Sequence, residues 1–343
     1  MERFDEKNSE TSVYAEILIL KGKANNMCVE WKKALLYFGQ SADIASVIDD
    51  RELKVKAICE TGHILEEQNQ FDEAMDCFKR CLNISKKAKY SLGIGNSYRG
   101  IGRVHWRRSE HEEAIANFRK SLKVSEELGD SDLIASINID LGNIFDEKYE
   151  KKKAIECYKK SLDLLKKCKN TYETARAYLN LAVTYEHLEE FDKAIEYNIK
   201  LLKLAQNLND IKLIGYGSAN ISHCYAKVDE FEKAKRYLRR AEDIAYKIDS
   251  KNIMFEVYKT HGFICKHQGK WNNAINYFQK SIELLEKVNA LYQLSDLHFE
   301  LGLLYKERND AENAEKHFSI AEGLYDELGL KNAELVKEKL SIF

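Results

Sequence analysis

The sequence predicts an all-α protein, a solenoid of eight helical hairpins. Three observations carry that reading. A small residue returns every forty positions, at Gly22, Gly62, Gly102, Gly142, Ala182, Ser222, Gly262 and Gly302. Twelve positions after each of them stands an alanine, from Ala34 to Ala314, without exception. The chain also contains no proline, where about 17 would be usual at a typical content of ~5%. Self-similarity at a fixed period of this length is the signature of stacked supersecondary units.

Each unit reads as two helices. In repeat 4 the apolar residues recur at three and four: Leu141, Phe145, then Ala154, Ile155, Tyr158 and Leu162. The glycine and alanine positions let two helices approach closely. Sixteen positions after the small residue stands a larger filler: Phe38, Phe78, Phe118, Tyr158, Asn198, Leu238, Phe278 and Phe318. Three further on stand Ser41, Cys81, Ser121, Ser161, Leu201, Ala241, Ser281 and Ala321, small in every repeat but the fifth. Hairpin turns fall at "EKYEKKK", "HLEEFDK", "KVDEFEK" and "KHQGKWNN". Gly129-Asp130, Asn170, Asn209-Asp210 and Asp249-Ser250 separate units, because Gly, Asn and Asp tolerate the left-handed backbone that ends a helix. The period gives eight repeats over 12–331 (12–51, 52–91, 92–131, 132–171, 172–211, 212–251, 252–291 and 292–331). A frayed or disordered 1–11 precedes them, and a capping helix over 332–343 follows. In that cap Leu335, Val336 and Leu340 can cover the last hairpin's open core, as solenoid ends require.

The bulk properties exclude several functions. Basic and acidic residues nearly cancel, at 54 against 56, so no whole-molecule field favours DNA or an anionic membrane. Only repeat 3 is locally rich in arginine, and Glu110, Glu112 and Glu113 flank it, which argues against nucleic acid. No apolar run approaches the ~18 residues of a membrane span. Eight scattered cysteines and no secretory leader point to reduced thiols in the cytoplasm. "GIGNSYRGIG" lacks the strand and the Lys-Ser/Thr of a phosphate loop. His261, Cys265 and His267 are too few and too core-like for a metal site. No catalytic signature appears. The expectation is a protein without enzymatic activity, metal or cofactor.

"ELGLLY" (Glu300 to Tyr305), followed by Ala314 and Phe318, is similar to the tetratricopeptide repeat (TPR). The forty-residue period resembles the longer-helix branch of that family, seen in kinesin light chains and regulators of G-protein orientation. The family's late proline is missing throughout, which suits longer second helices. The resemblance implies a right-handed α-solenoid of eight TPR hairpins, a scaffold that holds a peptide or protein segment against its first helices. It places the ligand-facing positions six and three before the small residue, and one and four after it.

Those positions in repeat 3 are Asn96, Arg99, Arg103 and Trp106. The arginines suit an acidic ligand, and Arg103 has only His63 and Asn143 level with it. Asn143, Asn180 and Asn220 can each offer a donor and an acceptor to an extended peptide backbone. Arg176 adds a further cation, while Tyr216 and Phe263 supply aromatic surface. A chaperone-tail clamp is not expected, since Ile139, Tyr216 and Asn220 stand where that pattern needs basic residues. Two other roles suit the same fold. One is a peptide-sensing regulator that closes on a signal peptide. The other is an assembly subunit that uses its outer face. Open solenoid ends also leave self-association available.

Overall fold

A computed structural model describes residues 2–288, 290–328 and 336. Among them are sixteen α-helices and no strand. They pair in chain order: α1 (Glu2–Met27) with α2 (Trp31–Val47), α3 (Arg51–Glu67) with α4 (Phe71–Ala88), and α5 (Ser91–Arg107) with α6 (His111–Leu128). Next come α7 (Ser131–Glu147) with α8 (Lys151–Cys168), α9 (Thr171–His187) with α10 (Phe191–Leu208), and α11 (Ile211–Lys227) with α12 (Phe231–Lys247). The last pairs are α13 (Lys251–His267) with α14 (Trp271–Val288), and α15 (Leu291–Glu307) with α16 (Ala311–Glu327). The first helices of repeats 2 to 8 start at 51, 91 and so on to 291, one residue before each expected boundary. α1 takes in most of the 1–11 segment expected to be frayed, because no breaker precedes Gly22. The expected cap over 332–343 lies outside the described residues except at Val336. That residue is buried in one cluster with Ala314, Phe318, Ala321 and Tyr325.

The forty-residue pattern is explained by packing. All eight periodic alanines have no exposed surface. A Cβ added at Gly22, Gly142 or Gly262 would lie 2.3–2.4 Å from a ring carbon of Phe38, Tyr158 or Phe278. Glycine therefore accompanies an aromatic filler in six repeats. Where Ala182 and Ser222 replace it, the filler is Asn198 or Leu238. The small polar residue after the filler pins the second helix to the first. Ser41, Ser121 and Ser281 donate to the carbonyls of Ala15, Gly95 and Phe255 at 2.7–2.9 Å.

The breaks are two-residue devices. The first residue takes a left-handed backbone and the second caps the next helix. Asp50, Asp130, Asn170, Asp210 and Ser250 accept from the backbone N–H three residues on, at 3.0–3.3 Å. Left-handed residues recur every twenty positions from Val29 to Gly269, and again at Asn309. They are not confined to Gly, Asn and Asp, as the sequence suggested. Val29, Lys89, Ser109, Tyr149, Lys169 and Glu189 also have φ between 54° and 62°. The helix ends impose this geometry on whatever residue arrives there.

The chain forms two compact units: Met1–Leu141 with Lys160–Glu173, and Gly142–Lys159 with Thr174–Phe343. No helix among the described residues is long and apolar enough to cross a membrane.

Candidate functional site

The predicted site residues are divided between the two units. Asn96, Arg99, Arg103 and Trp106 lie in the first; Asn143, Arg176, Asn180, Tyr216, Asn220 and Phe263 lie in the second.

In the first unit the arginines meet the protein's own carboxylates. Arg99 is 9% exposed and grips Asp140 side-on, with Nε 2.6 Å from Oδ2 and Nη2 3.5 Å from Oδ1. Glu173 stands 3.7 Å away on its other side. Arg103 donates to Glu66 Oε1 at 2.9 Å. The sequence reading gave Arg103 no acid because it compared level positions only. Glu66 lies one turn beyond His63 on α3, within reach of a long side chain. Arg107 donates to Asn69 at 2.8 Å, and Arg108 to Asp72 at 2.6 Å. Asn96 and Trp106 are half-buried.

Glu66 is almost fully buried. Burial pushes its carboxyl up, but Arg103 and His63 overcome this and hold it at about 2. Its folded pKa is thus below its unfolded value near 4.5. The stabilisation it provides is present above pH ~4.5 and is lost as pH falls toward ~2. Replacing Glu66 with Gln removes that dependence. We expect the stability of the variant, measured by urea unfolding, to change less between pH 5 and pH 3 than that of the parent, by about 2 kcal/mol.

In the second unit Asn143 Oδ1 accepts from Tyr158 Oη at 2.9 Å and from Asn180 Nδ2 at 2.6 Å. These two asparagines bind each other at the site where the sequence set them against a peptide backbone. Arg176 and Tyr216 are half-buried, and Tyr216 packs against the core around Ala219 and Leu238. Asn220 is buried.

The same unit contains a cleft of about 260 Å³. α9, α11, α13 and α15 all contribute to it, together with Tyr149 from the turn after α7 and Phe191 from α10. Of the predicted site residues only Phe263 lines it. Glu186, His223, Glu256, Lys259 and Asp296 line it too. They occupy the ligand-facing positions of their repeats, but their types drew less notice than asparagine and arginine. Lys227 and Tyr292 were missed altogether, since neither occupies one of those positions.

The cleft is acid-rich and wired by ion pairs. Glu186, Glu189, Glu256, Asp296 and Glu300 face two lysines, Lys227 and Lys259. Lys259 lies 2.6 Å from Glu256 and 4.0 Å from Glu186. Burial lowers its pKa, but these carboxylates more than reverse the effect and raise it. Burial pushes Glu186 and Asp296 above the usual carboxylate range despite the nearby lysines. Asp296 also accepts from the Tyr325 hydroxyl. His223 is held neutral, well below the ordinary histidine value, by burial and then by Lys259 and Lys227. Its ring meets Phe263 edge-on at 4.7 Å.

Two contacts tie α15 back across the cleft. Lys227 on α11 reaches Glu300 at 3.3 Å and lies 3.7 Å over the Phe263 ring. Tyr292 meets His187 edge-on at 5.9 Å and the buried Lys151 at the same distance. Lys151 in turn holds Asp146 at 3.1 Å and His187 at 2.8 Å. Among the described residues no group of three or more His, Cys, Asp or Glu is placed to hold a metal.

Models of the tetratricopeptide repeat match residues 55–87, 93–167 and 173–247, more than half of the chain. The chain belongs to the tetratricopeptide-repeat family. The matches describe the repeat itself and do not distinguish the kinesin light-chain branch. No curated protein matches the chain. Among solved structures, it is similar to a Rap protein complexed with Competence and Sporulation Factor. Identity is 14% and the TM-score 0.71, over 94% of this chain and 99% of that one. A second is the Rap conjugation gene regulator of the plasmid pLS20 in complex with the Phr* peptide, at 11% identity and TM-score 0.69, over 94% and 96%. A third is aspartyl phosphate phosphatase F from Bacillus subtilis, at 15% identity and TM-score 0.63, over 83% and 75%. At these identities the shared property is the TPR fold.

Proposed function

We propose that this TPR protein is a non-enzymatic, cytoplasmic scaffold that binds a peptide or protein segment in the cleft of its second unit. The cleft carries the proposal: it brings first helices from repeats 5 to 8 onto one polar and aromatic surface. Such concave sites with a few convergent polar groups are the usual seats of ligands. The Phr* peptide complex among the similar structures supports the same reading. Burial, followed by Glu186, raises the Cys224 thiol well above its usual range, which disfavours it as a nucleophile.

The charge count sharpens the ligand. An acidic peptide was the expectation from repeat 3, but those arginines are engaged by Asp140, Glu173 and Glu66. In the cleft five carboxylates face two lysines, and burial already penalises Glu186 and Asp296. A lysine, arginine or free amino group would relieve that penalty, with aliphatic side chains against Phe263 and Phe299. A random-peptide display selection on the whole protein tests this. Recovered peptides should carry a cation beside an aliphatic residue and bind the Asp296→Asn variant at least tenfold more weakly. Peptides that bind parent and variant equally would move the partner surface elsewhere and favour the assembly-subunit reading.

The peptide-sensing reading also has an observation in its favour. The Lys227–Glu300 and His187–Tyr292 contacts join repeat 8 directly to repeats 6 and 5. A ligand entering between them would compete for those contacts and so couple binding to the spacing of the repeats.

A further inference from the structure

In the interior repeats each first helix is flanked by the second helix of the repeat before it, as α2 flanks α3 and α12 flanks α13. The residues that meet this neighbour are buried: Leu53 is 2% exposed, Leu213 6% and Ile253 0%. Ala57 and Val257, one turn on, have no exposed surface. The corresponding residues of α1 are Val13 and Ile17, and they are 53% and 42% exposed. Leu20 adds 65% and Tyr14 52%. Meanwhile Ala15, Leu18 and Ile19 are buried on the opposite flank of α1, Ala15 and Ile19 in one core with Phe38 of α2 and Leu53 of α3. A helix apolar on both flanks is built to be covered on both. A solenoid flank that faces water carries polar residues; this flank of α1 does not.

The exposed stripe has a definite period. Val13, Ile17, Leu20 and Ala24 follow in steps of four, three and four, and all four are exposed. That is the seam of a two-stranded coiled coil, with Ile17 and Ala24 at one core position and Val13 and Leu20 at the other. Charge then sets direction. Glu10 and Glu16 lie toward the start of the stripe, Lys21 and Lys23 toward its end, and all are exposed, Glu16 standing 3.8 Å from Lys56 and Lys23 2.7 Å from Glu60 in pairs that a second copy would share. A parallel partner of the same sequence would stack like on like. An antiparallel one sets acids against lysines and opposes the helix dipoles favourably.

We infer that α1 pairs antiparallel with α1 of a second copy of this chain. The register lays Ile17 on Leu20 of the second copy, and Val13 on its Ala24. The Glu16 carboxylate then lies beside the second copy's Lys23. The contact is two-fold and closes on itself, so it gives a dimer rather than a filament.

Sedimentation equilibrium of the full chain across micromolar concentrations tests this. The parent should be a dimer. Ile17→Lys and Leu20→Glu should each weaken self-association at least tenfold, and their far-UV circular dichroism should be unchanged because both positions face outward from the single chain. An equal mixture of the two variants should recover the dimer. In that mixed pair one layer sets the new lysine against the new glutamate, and the other keeps isoleucine on leucine. A parent that stays monomeric overturns the inference. So does a dimer that persists in either variant, or a mixture that fails to dimerise, which a parallel pairing would give.

Discussion

Asp140→Ala should cost the first unit on the order of 3 kcal/mol. Asp140 has no exposed surface, and its partner Arg99 is 9% exposed. Removing the carboxylate leaves a buried guanidinium with only Glu173 at 3.7 Å to offset it. Buried ion pairs are poor sources of net stability, because desolvation consumes most of their attraction, but breaking one strands a charge. For a unit of this size the loss corresponds to roughly 6–12 °C in melting temperature. Far-UV circular dichroism during heating would read it. The double variant Arg99→Met/Asp140→Leu should recover only part of the loss, because Glu173, 8% exposed, then loses the guanidinium beside it. If it recovers none, the cost comes from lost packing and the pair is no electrostatic lock.

The second large effect concerns the glycine–aromatic pairing. Gly262→Ser puts a Cβ where the Phe278 ring already stands, 2.4 Å from its nearest carbon. The ring is fully buried and cannot swing away. Overpacking of this kind costs about 2 kcal/mol. Phe278→Leu alone leaves a void and costs about 1–2 kcal/mol. Repeat 6 already uses the combination, with Ser222 beside Leu238, and there the serine hydroxyl donates to Ala234 O at 2.8 Å. Grafting both residues into repeat 7 should therefore cost less than about 1 kcal/mol, with the new hydroxyl reaching the Ala274 carbonyl. Chemical denaturation of the two single variants and the double gives the coupling directly. Simple additivity would mean that the two positions do not share one space.

This pairing also shows why the fold was legible in the sequence. Gly22 with Phe38 and Gly302 with Phe318 are constraints between residues sixteen apart, repeated at one spacing. Periodicity reports such local contacts faithfully. The site was less legible, because its contacts are diagonal or span several repeats. Arg103 meets Glu66, one turn past the level position, and Lys227 meets Glu300 two repeats away. The stacking rule named Glu186, Lys259 and Asp296 as ligand-facing, but it could not show that they converge on one cleft. Nor could it show that Arg99 faces Asp140 instead of solvent. Such outcomes depend on the curvature of a unit, which no single repeat encodes.

The left-handed residues that recur every twenty positions bear on how such a chain changes over time. Val29, Tyr149 and Glu189 are poor residues for that backbone, yet they adopt it like Gly129 and Gly269. The left-handed positions therefore do not depend on their own residue type; the helices on either side dictate them. A position with no such requirement can absorb mutation freely. It can also be cut and rejoined in register, because each twenty-residue segment ends in the same geometry as the next. Whole hairpins can then be gained, lost or exchanged as cassettes, with the binding surface revised one repeat at a time while the scaffold stays intact.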